Sequence, residues 1–296
     1  MSAGVGGFFG GGGILDALVA ATRKRLARDV EREPLAALIA RCERRGARVS
    51  APETASDLGG RTAERDAGAE SRPCDCPPFE RALRAPGVSF ICEVKRASPS
   101  KGLIAESFPY LEIAADYEAA GAACISVLTE PDYFMGHDRY LAEIAALVRI
   151  PTLRKDFTVD AYQIYQAAAL GAGAVLLICA ITPPPRLKEF IALAGRLGLS
   201  ALVEAHDERE LAAALDAGAR IVGVNNRDLR TFEVDLGNSA RLRRLAPKEV
   251  VFVAESGIRT RADVLRLKDF GVDAALVGET LMRSPDRRAA LRGLVG

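Results

Sequence analysis

Histidine is almost missing from this 296-residue chain, which contains only His137 and His206. A histidine-rich metal centre is thereby disfavoured, because imidazole is the commonest ligand for catalytic transition metals. Any chemistry must run mainly on Lys, Arg, Asp and Glu. Cysteine is sparse as well, at six residues, too few for a disulfide scaffold. Cys92, Cys124 and Cys179 sit inside apolar runs and read as small core residues. Cys74 and Cys76 form a Cys-x-Cys in RPCDCPP with no second Cys/His pair nearby, and read as incidental loop thiols rather than a metal site. Neither sign of charge dominates: 40 Lys+Arg against 39 Asp+Glu leave a net charge of +1. No basic surplus is available to release counterions from a nucleic acid. Long hydrophobic runs are also lacking. The longest, Ala167 to Ile181, has 15 residues and two glycines, too short to span a bilayer. The opening MSAGVGGFFGGGG has neither a basic region nor an apolar core of the kind a secretory leader needs. A cytoplasmic protein follows, with no nucleic-acid or membrane partner.

What is present is a hydrophobic content of 49% with 27% charged residues, enough for a large core. Residues 1–13 hold seven glycines and read as a disordered tail. From Ile14 to about Arg45 the apolar spacing is helical, interrupted at Pro34. Residues 47–78 are polar and aperiodic, and read as a linker or insertion. From Val88 onward short apolar strands recur, at 89–94, 124–128, 152–155, 174–178, 201–204, 221–224, 250–254 and 274–277, with helical stretches between them. The glycines that close helices, Gly121, Gly171, Gly218 and Gly271, lie 50, 47 and 53 residues apart, two strand–helix units each. Eight buried parallel strands imply an α/β fold of the (β/α)8 TIM-barrel type, one domain over 14–296 with an N-terminal helical extension over 14–46 and the barrel proper over 88–296. The alternative, an open doubly wound sheet, would want a glycine-rich phosphate loop after the first strand, and none follows.

A barrel places its active site at the C-terminal ends of its strands. Those ends carry Glu93, Lys95 and Ser98; Glu130; Arg154, Lys155 and Asp156; Glu204; Asn225, Asn226 and Arg227; Glu255, Ser256 and Gly257; and Gly278 and Glu279. Any one could be a solvated loop charge, but together they are expected to converge on one mouth, where unpaired burial would be costly. Ser256, Gly257, Gly278 and Glu279 follow the last two strands, where barrels commonly cradle a phosphate with backbone N–H groups. Lys95, Lys155, Glu93 and Glu204 can supply a general acid and a general base, since burial lowers a lysine pKa and carboxylates raise it. The residues alone therefore point to a metal-free barrel enzyme acting on a phosphorylated small molecule.

Seven ordered segments carry a resemblance: EVKRASPSKG (93–102), LTEPDYFMG (128–136), LRKDF (153–157), LVEAHD (202–207), GVNNRDL (223–229), VAESGI (253–258) and LVGETLM (276–282). Together they resemble the indole-3-glycerol phosphate synthase family of tryptophan biosynthesis, from about Ile14 to the C-terminus. The resemblance implies ring closure of 1-(2-carboxyphenylamino)-1-deoxyribulose 5-phosphate with loss of CO2 and water, without metal or cofactor. It implies Lys155 as general acid to the substrate carbonyl, Lys95 as the partner of the substrate carboxylate and a second acid, and Glu204 as general base or dehydration partner. Glu93 and Asn225 would orient these groups and Glu255 would support the polar network. Ser98, Arg227, Ser256, Gly257, Gly278 and Glu279 would surround the phosphate, and Phe134, Phe157 and Leu229 would line the slot for the aromatic ring. Glu279 departs from the serine common at that position, and is expected to offer only its backbone N–H with its carboxylate turned away. A monomer is expected, at most weakly associated with other enzymes of the same pathway. Two other readings are a related phosphate-binding barrel isomerase, disfavoured by lysines on the first and third strands, and a non-catalytic copy that binds a phosphorylated metabolite.

Overall fold

The computed structural model describes residues 13–44, 76–227 and 233–296. The tail expected at 1–13, save Gly13, most of the insertion expected at 47–78, Cys74 and Leu229 lie outside the described residues. Eight parallel strands close into a barrel: β1 (Ser89–Val94), β2 (Cys124–Leu128), β3 (Thr152–Lys155), β4 (Ala174–Ile178), β5 (Ser200–Ala205), β6 (Ile221–Asn225), β7 (Val251–Glu255) and β8 (Ala274–Val277). Each pairs with its sequence neighbours, and β1 seals the ring by pairing with both β8 and β2. All eight lie where the apolar runs predict them, with ends shifted by one residue at most. The four helix-closing glycines take φ of +95°, +90°, +88° and +78°, the left-handed turn that sends the chain back toward the next strand.

Alternation along each strand divides the core in two. Outward residues such as Phe90, Cys92, Val175, Val222 and Phe252 pack beneath the helices. Inward residues Ile91, Leu153, Leu202 and Val253 from the odd strands, with Cys124, Ala174, Leu176, Ile221, Ala274 and Leu276 from the even ones, fill the barrel. The end away from the predicted site is closed by a short helix, α3 (Pro78–Leu83), whose Phe79 and Leu83 join this inner cluster fully buried. Sequence periodicity does not reveal α3, because six residues starting at a proline resemble the end of a linker.

The extension forms α1 (Ile14–Arg32) and α2 (Leu35–Arg44). Leu38 and Cys42 of α2 are fully buried in the outer cluster, and polar contacts add to their hold. Arg25 donates to Asp156 Oδ1 at 2.6 Å, Tyr162 Oη donates to the carbonyls of Asp29 and Glu33 at 3.1 and 2.7 Å, and Gln166 donates to Asp29 Oδ2 at 3.2 Å. Of the cysteines expected in the core, Cys92 and Cys124 are fully buried, whereas Cys179 is only half-buried in a turn after β4. Cys76 is buried rather than an exposed loop thiol, beside the start of α3. Among the described residues no helix is long and apolar enough to cross a membrane.

Truncating the barrel plug should be expensive. Phe79→Ala is predicted to lower the unfolding free energy by about 3–5 kcal/mol, the usual cost of emptying an aromatic site in a rigid core. Urea titration measures it; a loss below ~1 kcal/mol would mean that the barrel closes without its plug.

Candidate active site

Period-two alternation continues up each odd strand from the apolar layer. Two residues beyond Ile91, Leu153, Leu202 and Val253 stand Glu93, Lys155, Glu204 and Glu255, so the uppermost inward layer of the odd strands is one ammonium and three carboxylates. Lys155 Nζ lies 3.3 Å from Glu204 Oε2 and 3.5 Å from Glu255 Oε2. Lys95, just beyond β1, donates to Glu93 Oε1. Asn225 at the end of β6 donates from Nδ2 to Glu204 Oε1 at 3.1 Å and accepts the Arg227 N–H at 3.0 Å. Space for the layer comes from the even strands. A Cβ on Gly223 would overlap Glu255 Oε1, and one on Gly278 would overlap Glu93 Oε1. Gly278, assigned from sequence to phosphate approach, thus has the further job of clearing Glu93.

The charges in this layer set one another's protonation. Burial pulls the Lys155 pKa down, but Glu204, Glu255 and Glu93 together outweigh it and hold the ammonium well above the ordinary lysine value. Burial pushes the Glu204 carboxyl up, yet Lys155, His206 and the Asn225 amide more than reverse this and keep it below its usual value. Glu255 goes the other way: burial, with repulsion from Glu204 and Glu93, overcomes Lys155 and raises it to about 7. Its Oε1 has no hydrogen-bond partner among the described residues.

One cavity of about 420 Å³ opens above this layer. Its wall includes every site residue inferred from sequence other than Leu229: Glu93, Lys95, Lys155, Glu204, Asn225 and Glu255 on the floor, Phe134 and Phe157 on one side, and Ser98, Arg227, Ser256, Gly257, Gly278 and Glu279 among the rest. The Phe134 and Phe157 ring centres are 6.2 Å apart. After β7 the chain turns through two left-handed residues, Ser256 (φ +68°) and Gly257 (φ +81°), and a Cβ at Gly257 would overlap Val234. Among the described residues no group of three or more His, Cys, Asp or Glu side chains is arranged to hold a metal ion.

Two expectations need correction. The strand-end charges do not all converge on the mouth. Arg154 faces outward and is satisfied by Asp138, the Gln163 carbonyl and Gln166. Asn226 is taken up by Ser239 and the Glu255 carbonyl, while Asp156 reaches the cavity wall but is held by Arg25, Thr129 and the Phe157 N–H. Glu130 is a helix cap: its carboxylate accepts the N–H groups of Asp132, Tyr133 and Phe134, and so fixes the aromatic wall. Nor does Glu279 turn its carboxylate out of the site. It lies 3.3 Å from Arg283, 3.5 Å from Lys101 and 4.0 Å from Arg227, three cations that offset the repulsion expected beside an anion.

Sequence reasoning also missed wall residues. Ile14 and Leu18 of α1 reach the cavity with Ile104 from the loop after β1. Their i, i+4 spacing marks a buried helical stripe, but nothing in it says which surface the stripe covers. The loop itself folds into a minimal antiparallel pair, Ala97–Ser98 with Gly102–Leu103, which presents Ser98. His206, immediately above Glu204, is not part of the wall and had no assigned role.

The chain matches the family model described as indole-3-glycerol phosphate synthase over residues 42–294. It is 60% identical over 218 residues to an indole-3-glycerol phosphate synthase of Ruminiclostridium cellulolyticum, covering 74% of this chain and 84% of the relative. A second such relative, from Endomicrobium trichonymphae, is 58% identical over 216 residues, 73% of this chain and 84% of its own. Among solved structures, a thiamine phosphate pyrophosphorylase from Pyrococcus furiosus superposes with a TM-score of 0.54 at 19% identity, over 72% of this chain and 96% of that one, a likeness of fold alone.

Two predictions arise from the layer. Gly223→Ala should displace the Glu255 carboxyl and lower kcat at least about tenfold while the protein remains folded, since small misplacements of catalytic groups are costly; steady-state turnover and a melting curve together check it. The second concerns pH. Glu255 ionises near the ordinary carboxylate value when unfolded and at about 7 when folded. The native state therefore binds more protons between these values, and the contribution of Glu255 to stability, complete at low pH, is lost as pH rises toward 7. Relative to Glu255→Gln, which cannot ionise, the parent should lose stability across that window and then level off. A flat difference in unfolding free energy would contradict it.

Proposed function

The chain belongs to the indole-3-glycerol phosphate synthase family, and from that membership we infer how its site closes the ring of 1-(2-carboxyphenylamino)-1-deoxyribulose 5-phosphate to give indole-3-glycerol phosphate, a carboxy-lyase reaction of tryptophan biosynthesis. The observation that carries the assignment of roles is the Lys155 ammonium, held between Glu204 and Glu255 on the cavity floor.

Attack of the carboxylate-bearing ring carbon on the ketone builds negative charge on the ketone oxygen. Lys155 supplies the proton there, and its fixed position avoids the reorganisation that water would need. Lys95, held by Glu93, faces the substrate carboxylate. Departure of CO2 returns the bonding pair to the ring. Loss of the hydroxyl as water, with a proton from the carbon beside nitrogen, completes the indole; Glu204 takes that proton and Glu255, raised to about 7, is the group able to protonate the leaving hydroxyl. Phe134 and Phe157, with Ile14, Leu18 and Ile104, enclose the aromatic end. Ser98, Arg227, Ser256, Gly257, Gly278 and Glu279 receive the phosphate end, where Lys101 and Arg283 add positive charge. Cys42, Cys92 and Cys124, buried thiols without disulfides, support a reducing, cytoplasmic setting.

The test is direct. Incubating the carboxyphenylamino substrate with the protein should release a fluorescent indole, and Lys155→Ala should lower kcat by about 10²-fold or more, the usual worth of a positioned acid. Full turnover by that variant would remove Lys155 from the mechanism.

A further inference from the structure

His206 connects the buried catalytic layer to the protein surface by a route that avoids the cavity. It follows β5 directly and does not line the pocket. Its Nε2 is buried, has no hydrogen-bond partner among the described residues, and lies 3.4 Å from Glu204 Oε1, the oxygen that also accepts from Asn225. Its Nδ1 is 3.1 Å from Glu210 Oε2, which also accepts the His206 backbone N–H at 2.8 Å. Glu210 lies in the first turn of the helix Glu208–Asp216, capped by Asp207. The side chains of His206 and Glu210 are each 22% exposed, against 3% for Glu204. With Lys155 Nζ 3.3 Å from Glu204 Oε2, a line of proton-exchanging groups, each within 3.4 Å of the next, runs Glu210, His206, Glu204, Lys155.

The reaction needs such a line. Ring closure places one proton on the ketone oxygen, and dehydration places a second on the leaving hydroxyl. The carbon beside nitrogen gives back one, and the carboxylate leaves as CO2 without any. Each turnover therefore consumes one proton net, and Lys155, which gives it, sits beneath a cavity that substrate fills.

We propose that His206 is the relay that returns this proton: once Glu204 has handed the proton taken from carbon through Lys155 to Glu255, His206 gives its Nε2 proton to Glu204, which reloads Lys155, and the ring, turned so that its remaining N–H faces Glu204, recovers a proton on the nitrogen facing Glu210 and solvent. The proposal rests on the functional reading above. His206 acts through Glu204 and so is a positioning and relay residue rather than a catalytic one. The charged groups around it favour the loaded form. Burial lowers the imidazole pKa, but Glu210, Glu204 and, farther off, Glu255 outweigh it and raise it. Asp207 precedes the same helix, Asn238 donates to the His206 carbonyl at 3.2 Å, and the Cys179 thiol, facing the Glu210 carbonyl at 3.5 Å, is pushed up to about 12 by burial and these carboxylates, so it stays neutral.

The experiment compares parent, His206→Ala and His206→Gln by rapid mixing with the carboxyphenylamino substrate, with and without added imidazole. In both variants the first turnover, which uses the proton already on Lys155, should stay within about twofold of the parent. Later turnovers should slow at least about tenfold, with KM falling alongside kcat, so that a burst of one product per site appears. Imidazole should restore the steady rate of His206→Ala, whose missing ring leaves room for it, and not of His206→Gln. Steady rates equal to the parent in both variants overturn the relay. So does a first turnover that slows in step with the later ones and ignores imidazole, which marks a purely structural role. A parent that forms no indole overturns the functional reading itself, an outcome distinct from either.

Discussion

Three carboxylates surround the Lys155 ammonium at the top of this barrel, and most of what is particular to the chain answers to that arrangement. Charges taken out of water are tolerated only when they are paired closely and their remaining lone pairs are used. Lys155 serves Glu204 and Glu255 directly, while Glu93 has Lys95 as its own partner. The even strands yield space at Gly223 and Gly278, where any side chain would collide with a carboxylate of the layer. Below, Ile91, Leu153, Leu202 and Val253 exclude water from the same four strands. The transition from oil to charge occurs within two residues on every odd strand, so the floor of the site is as rigid as the core beneath it.

The wall depends on a second charge network that faces the other way. Asp156 and Glu130 follow β3 and β2, yet both receive Arg25 from α1, at 2.6 and 3.7 Å. Through Arg25 the N-terminal helix is tied to the mouth of the barrel, which sets Ile14 and Leu18 against the cavity. Glu130 simultaneously caps the short helix that carries Phe134. Aromatic binding surface and helical extension are thus held by the same few acidic side chains, none of which need touch substrate.

Much of this was legible in the sequence, for identifiable reasons. Strands buried on both faces leave continuous apolar runs, and the glycines at 121, 171, 218 and 271 mark returns that few other residues can make, so the barrel could be read from rhythm. The charged layer was legible because strand ends in a barrel have one destination. Direction was not. Arg154 and Lys155 are adjacent and both basic, and only the strand's phase against its neighbours sends one to the helices and the other to the site. Gly223 carries no functional label, since a glycine that makes room is recognised only beside the group it makes room for. The cavity-facing side of α1 was hidden for the same reason: its stripe shows that something is covered, while the covered surface lies more than a hundred residues away. Glu279 was misjudged because its repulsion was weighed without Lys101, Arg227 and Arg283.

Identical side chains in the same layer have their pKa values moved in opposite directions, and neighbours rather than burial decide it. Glu204 and Glu255 are equally removed from water, so desolvation raises both. Glu204 then faces two donors, Lys155 at 3.3 Å and the Asn225 amide at 3.1 Å, with the His206 ring 3.4 Å away. Glu255 faces Lys155 alone, at 3.5 Å, and keeps one oxygen without a partner. The outcome is a carboxylate ready to accept a proton beside a carboxyl group ready to give one, with an ammonium between them. A reaction that must protonate one oxygen twice and deprotonate one carbon requires both kinds of group at once. The difference between the two glutamates lies in the residues behind Glu204: Asn225, where β6 ends, and His206, into which β5 runs on.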